Sequence, residues 1–308
     1  MSRDVGPLID NAQHLLSIGH VDGAIDRLRI VLGEDPDVAE AHALLALCLL
    51  NKRRLHAATL EAESALTLAP EAPLSHCVAA ELALANRDFR KAEQHAQSFL
   101  ELAPESAYAY RLLASCYALT GRDAQRLPLL QQALSKDPND PESLAKLAEH
   151  YGDAGDLGQA WHYANLALQA SPENQSALTA MGHVLLLKGE VANAREHAVL
   201  ALQADPTHPP ALQLLVSIKA RTNPLLGTWW HYAVWSNRMG TTRSIVVLIV
   251  AFVLYRISVL AARDLGHETL ATSINLVWLA LVVYSFIGPT IFQRALRKEL
   301  ANVSLKDF

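Results

Sequence analysis

Apolar residues recur at three- and four-residue spacing along the first two-thirds of the chain, in short segments that polar turns separate. The unit 39–72 shows the arrangement: one apolar stripe includes Leu45 and Leu49, a polar turn follows, and a second stripe includes Ala58 and Leu66. This spacing predicts two amphipathic helices, because residues three and four apart share one face of a helix. The unit ends at a proline, through which a helix does not continue.

The same unit recurs every 34 residues. Proline marks the period six times, and small residues recur inside each unit. A period of this length is typical of stacked helix-turn-helix repeats, so the sequence predicts an all-α solenoid within residues 1–222. The recurring prolines are Pro36, Pro70, Pro104, Pro138, Pro172 and Pro206. The predicted repeats are residues 5–38, 39–72, 73–106, 107–140, 141–174 and 175–208, with a capping helix at 209–220.

Two further positions recur with the 34-residue period, one in the turn of each unit and one in its second helix. The fourth unit departs from the second pattern, with Arg126 at the small position and Pro128 two residues later. We expect its second helix to start late or to bend. A hinge or an altered groove is one interpretation of the departure, and neutral drift is the favoured one. The turn positions are Gly19, Arg53, Arg87, Gly121, Gly155 and Gly189, and the small positions are Ala24, Ala58, Ala92, Ala160 and Ala194.

These units resemble the tetratricopeptide repeat family over residues 5–208. The family pattern is a large residue, Leu-Gly or Leu-Ala, an aromatic residue, two small residues and a final proline. The resemblance implies a right-handed solenoid in which the first helix of each repeat lines a concave surface. The matching residues of the fifth repeat are Leu144, Leu147, Ala148, Tyr151, Gly155, Ala160, Ala164, Ala167 and Pro172.

The pattern changes after residue 240. Residues 243–262 and 270–292 are two nearly uncharged apolar runs, each long enough to cross a hydrocarbon core of about 30 Å. Only seven residues separate them, so the sequence predicts a membrane hairpin within residues 241–308. Basic residues flank its outer ends, which by the positive-inside rule places the repeats and the C-terminus in the cytoplasm. We interpret Arg256, inside the first run, as a side chain that reaches the headgroups, rather than as part of a conduction site.

An aromatic segment, residues 223–240, joins the repeats to the hairpin. Trp229, Trp230, Tyr232 and Trp235 are typical of the membrane interface, where one side of the ring is apolar and the other makes hydrogen bonds. We predict a helix that lies on the inner face of the membrane. The alternative is a soluble capping helix in which these aromatic rings fill a core.

Charge divides the chain in the same way. Residues 1–218 carry 16 basic and 27 acidic side chains, a net charge of −11, whereas residues 219–308 carry 10 and 4, a net charge of +6. Basic residues therefore gather where anionic lipid would lie, and the acidic repeats argue against nucleic acid as a partner. The three cysteines, Cys48, Cys77 and Cys116, have no close-pair spacing, which favours reduced thiols in a cytosolic domain.

The sequence contains no pattern typical of an enzyme. It has no phosphate-binding loop, dinucleotide fingerprint, HExxH, CxxC or GxSxG motif. Its 13 histidines are scattered and do not pair with other ligands at the spacing of a zinc site. We therefore expect no catalytic residue, no cofactor and no metal.

The family resemblance implies a set of partner-binding positions on the first helices. They predict an extended or helical peptide that is apolar toward one end and basic near the fifth repeat; the alternative is a surface that is only solvated. The Lys and Asn clamp that other family members use for acidic carboxyl tails is missing from every repeat. The predicted binding residues are Leu47, Leu50, Glu81, Leu84, Tyr108, Arg111, Ser115, Glu149, Asp153 and His183, and Glu40, Leu74, Glu142 and Thr179 occupy further contact positions.

The favoured hypothesis is a membrane-anchored adaptor or scaffold, in the inner membrane if the chain is bacterial, as its alanine- and leucine-rich composition suggests. The partners are then a protein or peptide in the groove and the lipid bilayer. One alternative is a structural subunit that assembles through the hairpin, with copies of itself or with other chains. An enzyme or transporter is the least favoured alternative, because the sequence offers neither a catalytic set nor a row of ionisable residues within the spans.

Overall fold

The structure, a computed structural model, describes residues 5–206, 208–222, 249–279 and 282–283. Every regular element in these residues is a helix, so the predicted all-α class is confirmed. Thirteen of the described helices lie between residues 6 and 222 and follow the 34-residue period in pairs. In chain order they are α1 (Gly6–Ser17), α2 (Val21–Glu34), α3 (Ala39–Asn51), α4 (Leu55–Leu68), α5 (Pro73–Ala85), α6 (Phe89–Leu102), α7 (Ala107–Leu119), α8 (Asp123–Lys136), α9 (Pro141–Asp153), α10 (Leu157–Ala170), α11 (Gln175–Lys188), α12 (Val191–Ala204) and α13 (Pro209–Thr222).

The chain divides into two compact units, Met1–Gly155 and Asp156–Phe308. In the first unit, α1, α3 and α5 each pack on the second helix of the same repeat and on the first helix of the next. In the second unit, α11 packs on α12, and both contact α13. Within each unit, the helices thus bury their apolar faces against their neighbours, as stacked repeats do.

Small side chains set the distance between paired helices. Gly182 on α11 shows why: a Cβ atom there would meet the side chain of Leu214 on α13. A larger side chain at such a contact would push the helices apart, at about 1–3 kcal/mol. The alanines that recur in the second helices, Ala24, Ala58, Ala92, Ala160 and Ala194, are all 0% exposed.

The turn between the two helices of each repeat passes through a left-handed residue. Arg53 and Arg87 adopt this conformation with φ of +58° and +61°. Glycine occupies the equivalent place in the other repeats, because it has no Cβ to clash with the backbone. The sequence therefore keeps one turn geometry six times, and in two repeats an arginine is forced into it. The glycines are Gly19, Gly121, Gly155 and Gly189.

The first helices of the later repeats are capped by side chains. Ser106, Asp140 and Asn174 each accept a hydrogen bond from the backbone N–H three residues ahead. Val38 and Ala72 occupy the same place before α3 and α5 and supply no such bond. A side-chain cap stabilises a helix by about 1 kcal/mol, so the second and third repeats lack a local stabilisation that the later ones have.

The second helix of the fourth repeat begins at Asp123, 34 residues after Phe89, where the period places it. The expected late start was therefore wrong. Pro128 lies inside this helix and removes one backbone donor. Arg126 is buried, at 5% exposure, in the place that alanine takes in other repeats.

Two further helical segments, α14 (249–264) and α15 (268–279), pack on each other in the second unit. Their core is small and consists of Val259, Ala262 and Ala271. Tyr255 adds a hydrogen bond to Asn275 at 2.6 Å, and its ring stacks on Trp278 with a centroid distance of 4.6 Å.

The predicted membrane spans, 243–262 and 270–292, lie only partly within the described residues. Within the described ranges, no helix has both the length and the apolar character that a membrane crossing requires. The predicted interfacial segment, 223–240 with Trp229, Trp230, Tyr232 and Trp235, lies outside the described residues.

Candidate binding face

Nine of the ten predicted binding residues lie on the first helices of the first unit, on α3, α5, α7 and α9. We call these nine residues the candidate face. His183 lies on α11 in the second unit, where it is half-buried. The candidate face consists of Leu47, Leu50, Glu81, Leu84, Tyr108, Arg111, Ser115, Glu149 and Asp153.

Neighbouring first helices contact each other through a repeated pair of positions 27 residues apart. Gln13 donates to Glu40 at 2.7 Å between α1 and α3. Leu47 on α3 packs against the same core cluster as Leu74 on α5. One repeat further along, the hydroxyl of Tyr108 on α7 donates to Glu81 on α5. The first helices α1, α3, α5 and α7 therefore lie side by side.

The part of the face on the second and third repeats is apolar. Leu47 and Leu50 are half-buried and pack against the core of the second repeat with their inner sides. Leu84 does the same in the third repeat. Side chains that are half-buried lose little conformational entropy when a partner covers the rest of their surface. This end of the face can therefore bind apolar side chains.

Tyr108 is held from three sides. Its hydroxyl donates to Glu81, its ring meets Phe99 edge-to-face at 6.1 Å, and the guanidinium of Arg111 lies 4.9 Å from the ring centre. Burial raises the pKa of Glu81, and the positive charge of Arg111 acts in the opposite direction. Tyr108 thus presents a fixed ring on the face while its polar group is already bonded.

Arg111 continues this network into the fifth repeat. Its Nη1 donates to Asp140, and both side chains are less than one-fifth exposed. Asp140 is also the N-cap of α9, since its Oδ2 accepts from the N–H of Ser143 at 3.1 Å. We call the series Glu81, Tyr108, Arg111 and Asp140 the polar ladder. It joins three successive repeats by charge-assisted bonds, the stronger class of hydrogen bond.

The polar ladder changes how Tyr108 and Arg111 can act. The sequence presented Arg111 as a donor for a ligand, whereas the structure engages it with Asp140. A ligand would have to exchange this bond, or use only the accessible part of the half-buried ring of Tyr108. The predicted binding roles of these residues stay predictions.

The acidic end of the face is partly neutralised within the chain. Glu149 lies 3.0 Å from Lys146 and 3.6 Å from Arg126. Asp153 lies 3.5 Å from Arg126 and remains 78% exposed. Arg126 also donates to the carbonyl oxygen of Lys146 at 3.3 Å. Two cations thus balance the two carboxylates, which weakens the expected preference for a basic ligand and leaves Asp153 as its most accessible acceptor.

The sequence did not lead us to predict the role of Asp140 or the contacts that Arg126 makes with α9. Asp140 could have been found as an N-cap, because it directly precedes a proline at the start of a predicted helix. Arg126 could also have been recognised, because it is a charged residue at a position where other repeats have alanine. Arg126 is buried and contacts α9, so it has a structural role in joining the fourth and fifth repeats. The interpretation of this residue as neutral drift did not predict that role.

We also searched the described residues for a ligand cavity, a reactive thiol and a metal site. A cavity of about 390 Å³ lies among α4, α5 and α6, but no residue of the candidate face lines it. Burial raises the pKa of Cys48 to about 11, of Cys77 to about 12 and of Cys116 to about 11, so the thiols are unreactive. In the ranges that the structure describes, no three His, Cys, Asp or Glu side chains come together as a metal site would require.

Comparison with known proteins supports the repeat family. Residues 9–73 and 77–141 match the family model for the tetratricopeptide repeat. A search of curated proteins finds no match.

Solved structures support the same fold. The Cut9–Hcn1 hetero-tetramer of the APC/C matches with a TM-score of 0.58 at 17% identity, over 68% of this chain and 42% of that one. PilW, a type IV pilus biogenesis factor, matches with a TM-score of 0.54 at 18% identity, over 70% and 100%. A tetratricopeptide repeat protein of Thermus thermophilus, TTC0263, matches with a TM-score of 0.54 at 22% identity, over 59% and 99%. The chain thus spans less than half of the first protein, and at these identities the likeness concerns the fold.

Proposed function

We propose that this chain, whose repeats are of the tetratricopeptide type, is a membrane-anchored adaptor that binds a protein or peptide on its candidate face. Tetratricopeptide repeat proteins in general act as scaffolds that bind such partners. The observation that carries the proposal is the makeup of the face. It joins half-buried leucines, a fixed aromatic ring and an exposed carboxylate on adjoining helices, and among the described residues no catalytic set accompanies it.

The partner's chemistry follows from the order of these groups. Apolar side chains of the partner contact Leu47, Leu50 and Leu84, and a planar or aliphatic group covers the ring of Tyr108. A basic group reaches Asp153, whose carboxylate is the exposed acceptor of the face. Because the polar ladder fixes the middle of the face in advance, binding orders few side chains there.

The helix pair α14 and α15 supports the membrane part of the proposal. Its large apolar side chains point outward, whereas a water-soluble helix pair would bury them. The net charge of +6 on residues 219–308 favours contact with anionic lipid. The exposed fraction is near or above half for Ile249, Val250, Phe252, Val253, Leu254, Ile257, Leu260, Leu270, Leu276, Val277 and Leu279.

The proposed arrangement is a two-span hairpin with the repeats and the C-terminus on the cytoplasmic side. In this arrangement the aromatic segment 223–240 lies in the headgroup layer and Arg256 reaches toward the headgroups from the first span. Tethering then raises the concentration of a bound partner near membrane proteins. Assembly of a complex through the helix pair itself is the competing proposal, and the experiments below separate the two.

Membrane insertion is tested by carbonate extraction of membranes that contain the full chain. The variant Leu254→Lys, Leu276→Lys places charge on both helices, and each lysine opposes insertion by about 2.5–3.5 kcal/mol at a span centre. Leu265→Lys is the matched control, because Leu265 lies in the turn between the helices. Wild type and control should stay in the pellet and the double variant should not. Wild type in the supernatant would remove the anchor.

Binding is tested by crosslinking from intact membranes, followed by affinity measurement with each purified captured protein. Leu50→Glu, Leu84→Glu changes the candidate face. Leu60→Glu, Leu102→Glu is the control, because these leucines are exposed on the second helices. Circular dichroism verifies that both variants are folded. The adaptor proposal is supported if the control variant binds a captured protein with the affinity of wild type and the face variant binds it at least tenfold more weakly. Equal binding by both variants favours assembly through the helix pair.

A further inference from the structure

Four arginines lie at one edge of the second and third repeats, in or directly after the turns between their helices. Arg53 and Arg54 lie between α3 and α4, Arg87 lies between α5 and α6, and Arg90 is the second residue of α6. All four are exposed. Among the residues that the structure describes, none of the four side chains makes a hydrogen bond or an ion pair. We call these four residues the basic edge.

The neighbouring lysines behave differently. Lys52 lies 2.7 Å from Asp22, and Lys91 lies 3.7 Å from Asp88. Within the described ranges the arginines are thus unpaired although partners of opposite charge lie close along the chain. Their guanidinium groups, the side chains best suited to bind phosphate and carboxylate in pairs of hydrogen bonds, point to solvent.

The fold does not explain why arginine occupies these four positions. Arg53 and Arg87 have φ of +58° and +61°, at the place where other repeats have glycine. Arg54 is the N-cap of α4, and Arg90 is the second residue of α6. Both lie at helix N-termini, where the helix dipole disfavours positive charge. Two arginines are therefore strained and two lie at unfavourable helix ends. Strain of this kind points to a function.

The two turns lie side by side. Since α3 and α5 pack directly on each other and run in the same direction, their C-terminal ends meet at one edge of the first unit. Packed helices lie about 8–10 Å apart, so the two turns bring the four exposed arginines close together at this edge. These four positive charges lie within residues 1–218, which carry a net charge of −11.

We propose that the basic edge binds the anionic phospholipid headgroups of a membrane surface. Headgroup phosphates offer neighbouring acceptors for the guanidinium groups, and the apolar helix pair brings the same chain to a bilayer. The choice of lipid thus rests on the membrane anchor proposed above. The edge adds a second, charge-dependent attachment by which the otherwise acidic repeats contact the membrane.

The test uses the full chain in vesicles of phosphatidylcholine alone or with about 30% phosphatidylserine, read by hydrogen exchange. Anionic vesicles should slow exchange of the backbone amides in residues 51–54 and 86–90 at least fivefold, and about 0.5 M salt should remove the effect. Arg53→Gly, Arg87→Gly should lose the protection. Because glycine suits both turns, unfolding cannot account for that loss. Arg27→Gln, Arg29→Gln removes two exposed arginines from α2 and should keep it.

Exchange that is equal in both vesicle types would overturn the proposal. Carbonate extraction of the same samples reports separately on the anchor: resistance without protection of the turns keeps the anchor and removes the basic edge. If the chain does not insert, flotation of wild type and of Arg53→Gly, Arg87→Gly with anionic vesicles tests the edge, and equal flotation of the two chains overturns the proposal. Slower exchange with poly-glutamate but not with anionic vesicles would assign the edge to an acidic protein and likewise overturn the lipid proposal.

Discussion

The second and third repeats differ from the fourth and fifth although all follow the same period. The earlier repeats have arginine in the left-handed turn, no side-chain cap before the first helix, and leucines on the candidate face. The later ones have glycine in the turn, Ser106 and Asp140 as caps, and the polar ladder on the face. The repeat pattern thus specifies the fold, while the positions that the pattern leaves open divide the first unit into a locally weaker and a locally stronger part.

The largest expected effect comes from the polar ladder. Arg111→Ala leaves Asp140 without its cation and should lower the free energy of unfolding by about 2 kcal/mol, the scale of a hydrogen bond to a charged group. Urea unfolding measures the loss, and hydrogen exchange should place it at the start of α9. Arg90→Ala, which removes an exposed arginine of the basic edge, should change stability by no more than about 0.5 kcal/mol. Equal effects would mean that the ladder does not strengthen the later repeats.

Helix caps give the next effect and can be exchanged between the two regions. Ala72 and Ser106 share nearly the same backbone, with φ of −81° in both. Ala72→Ser should therefore raise the free energy of unfolding by about 1 kcal/mol, and Ser106→Ala should lower it by a similar amount. Opposite signs in thermal unfolding would confirm that the missing cap weakens the third repeat. If neither variant moves the midpoint, the caps do not distinguish the regions.

Glycine in the strained turns should stabilise the earlier repeats. Arg53→Gly and Arg87→Gly relieve a left-handed conformation that costs about 1–2 kcal/mol, partly offset by the greater freedom of glycine in the unfolded chain. A net gain of about 0.5–1 kcal/mol each should appear in urea unfolding. Arg29→Gly is the control, because Arg29 lies inside α2 on ordinary helical backbone, where glycine should lower the free energy of unfolding by about 1 kcal/mol. A loss of stability in both turn variants would refute the strain.

The smallest effect is a pH dependence in the third repeat, where His95 lies beside His76. His76 donates from Nε2 to the carbonyl of Pro70, at 2.8 Å, so its Nδ1 must accept the proton that His95 donates from Nδ1 at 3.2 Å. Burial lowers the pKa of His95, and His76 and Lys91 lower it further. The folded state therefore binds fewer protons than the unfolded state, and stability falls as pH drops below about 6.5.

The second repeat supplies the control for this pH effect. There the equivalent partner is Glu61, 2.6 Å from Nδ1 of His42, and a carboxylate can accept from a protonated histidine. His95→Glu copies that pair into the third repeat and should remove the loss. Hydrogen exchange of α5 and α6 at about pH 5 and about pH 7.5, on either side of the ordinary histidine pKa, measures the effect. The same loss in wild type and variant would show that another group titrates.

Most of the fold was predictable, because the period places a helix boundary, a turn and a small residue at fixed intervals. Gly121 is a residue type that favours a left-handed turn. Arg53 and Arg87 could be assigned to the same turn only because they lie at multiples of 34 residues from Gly121. The late start that we predicted from Pro128 was wrong, because a single proline in the first turns of α8 does not move the start of that helix.

The candidate site was less predictable, because the type of a residue does not say which neighbour it contacts. Arg111 reads as a free donor in the sequence, yet Asp140, 29 residues later, accepts its hydrogen bond. Glu149 reads as a free acceptor, yet Arg126 and Lys146 balance it. Such pairs depend on which side chains the stacking brings together, and the sequence shows only the stacking.

If a partner binds the first helices of the earlier and later repeats together, site-specific photocrosslinking in membranes should capture it from both. A crosslinking residue replaces Leu84 or Ser115 on the candidate face, or Leu60 or Leu102 on the second helices, in the full chain. We expect one adduct of the same mass from Leu84 and Ser115, and none from Leu60 and Leu102. Adducts only from the second helices, or the same adducts from all four positions, would contradict this expectation.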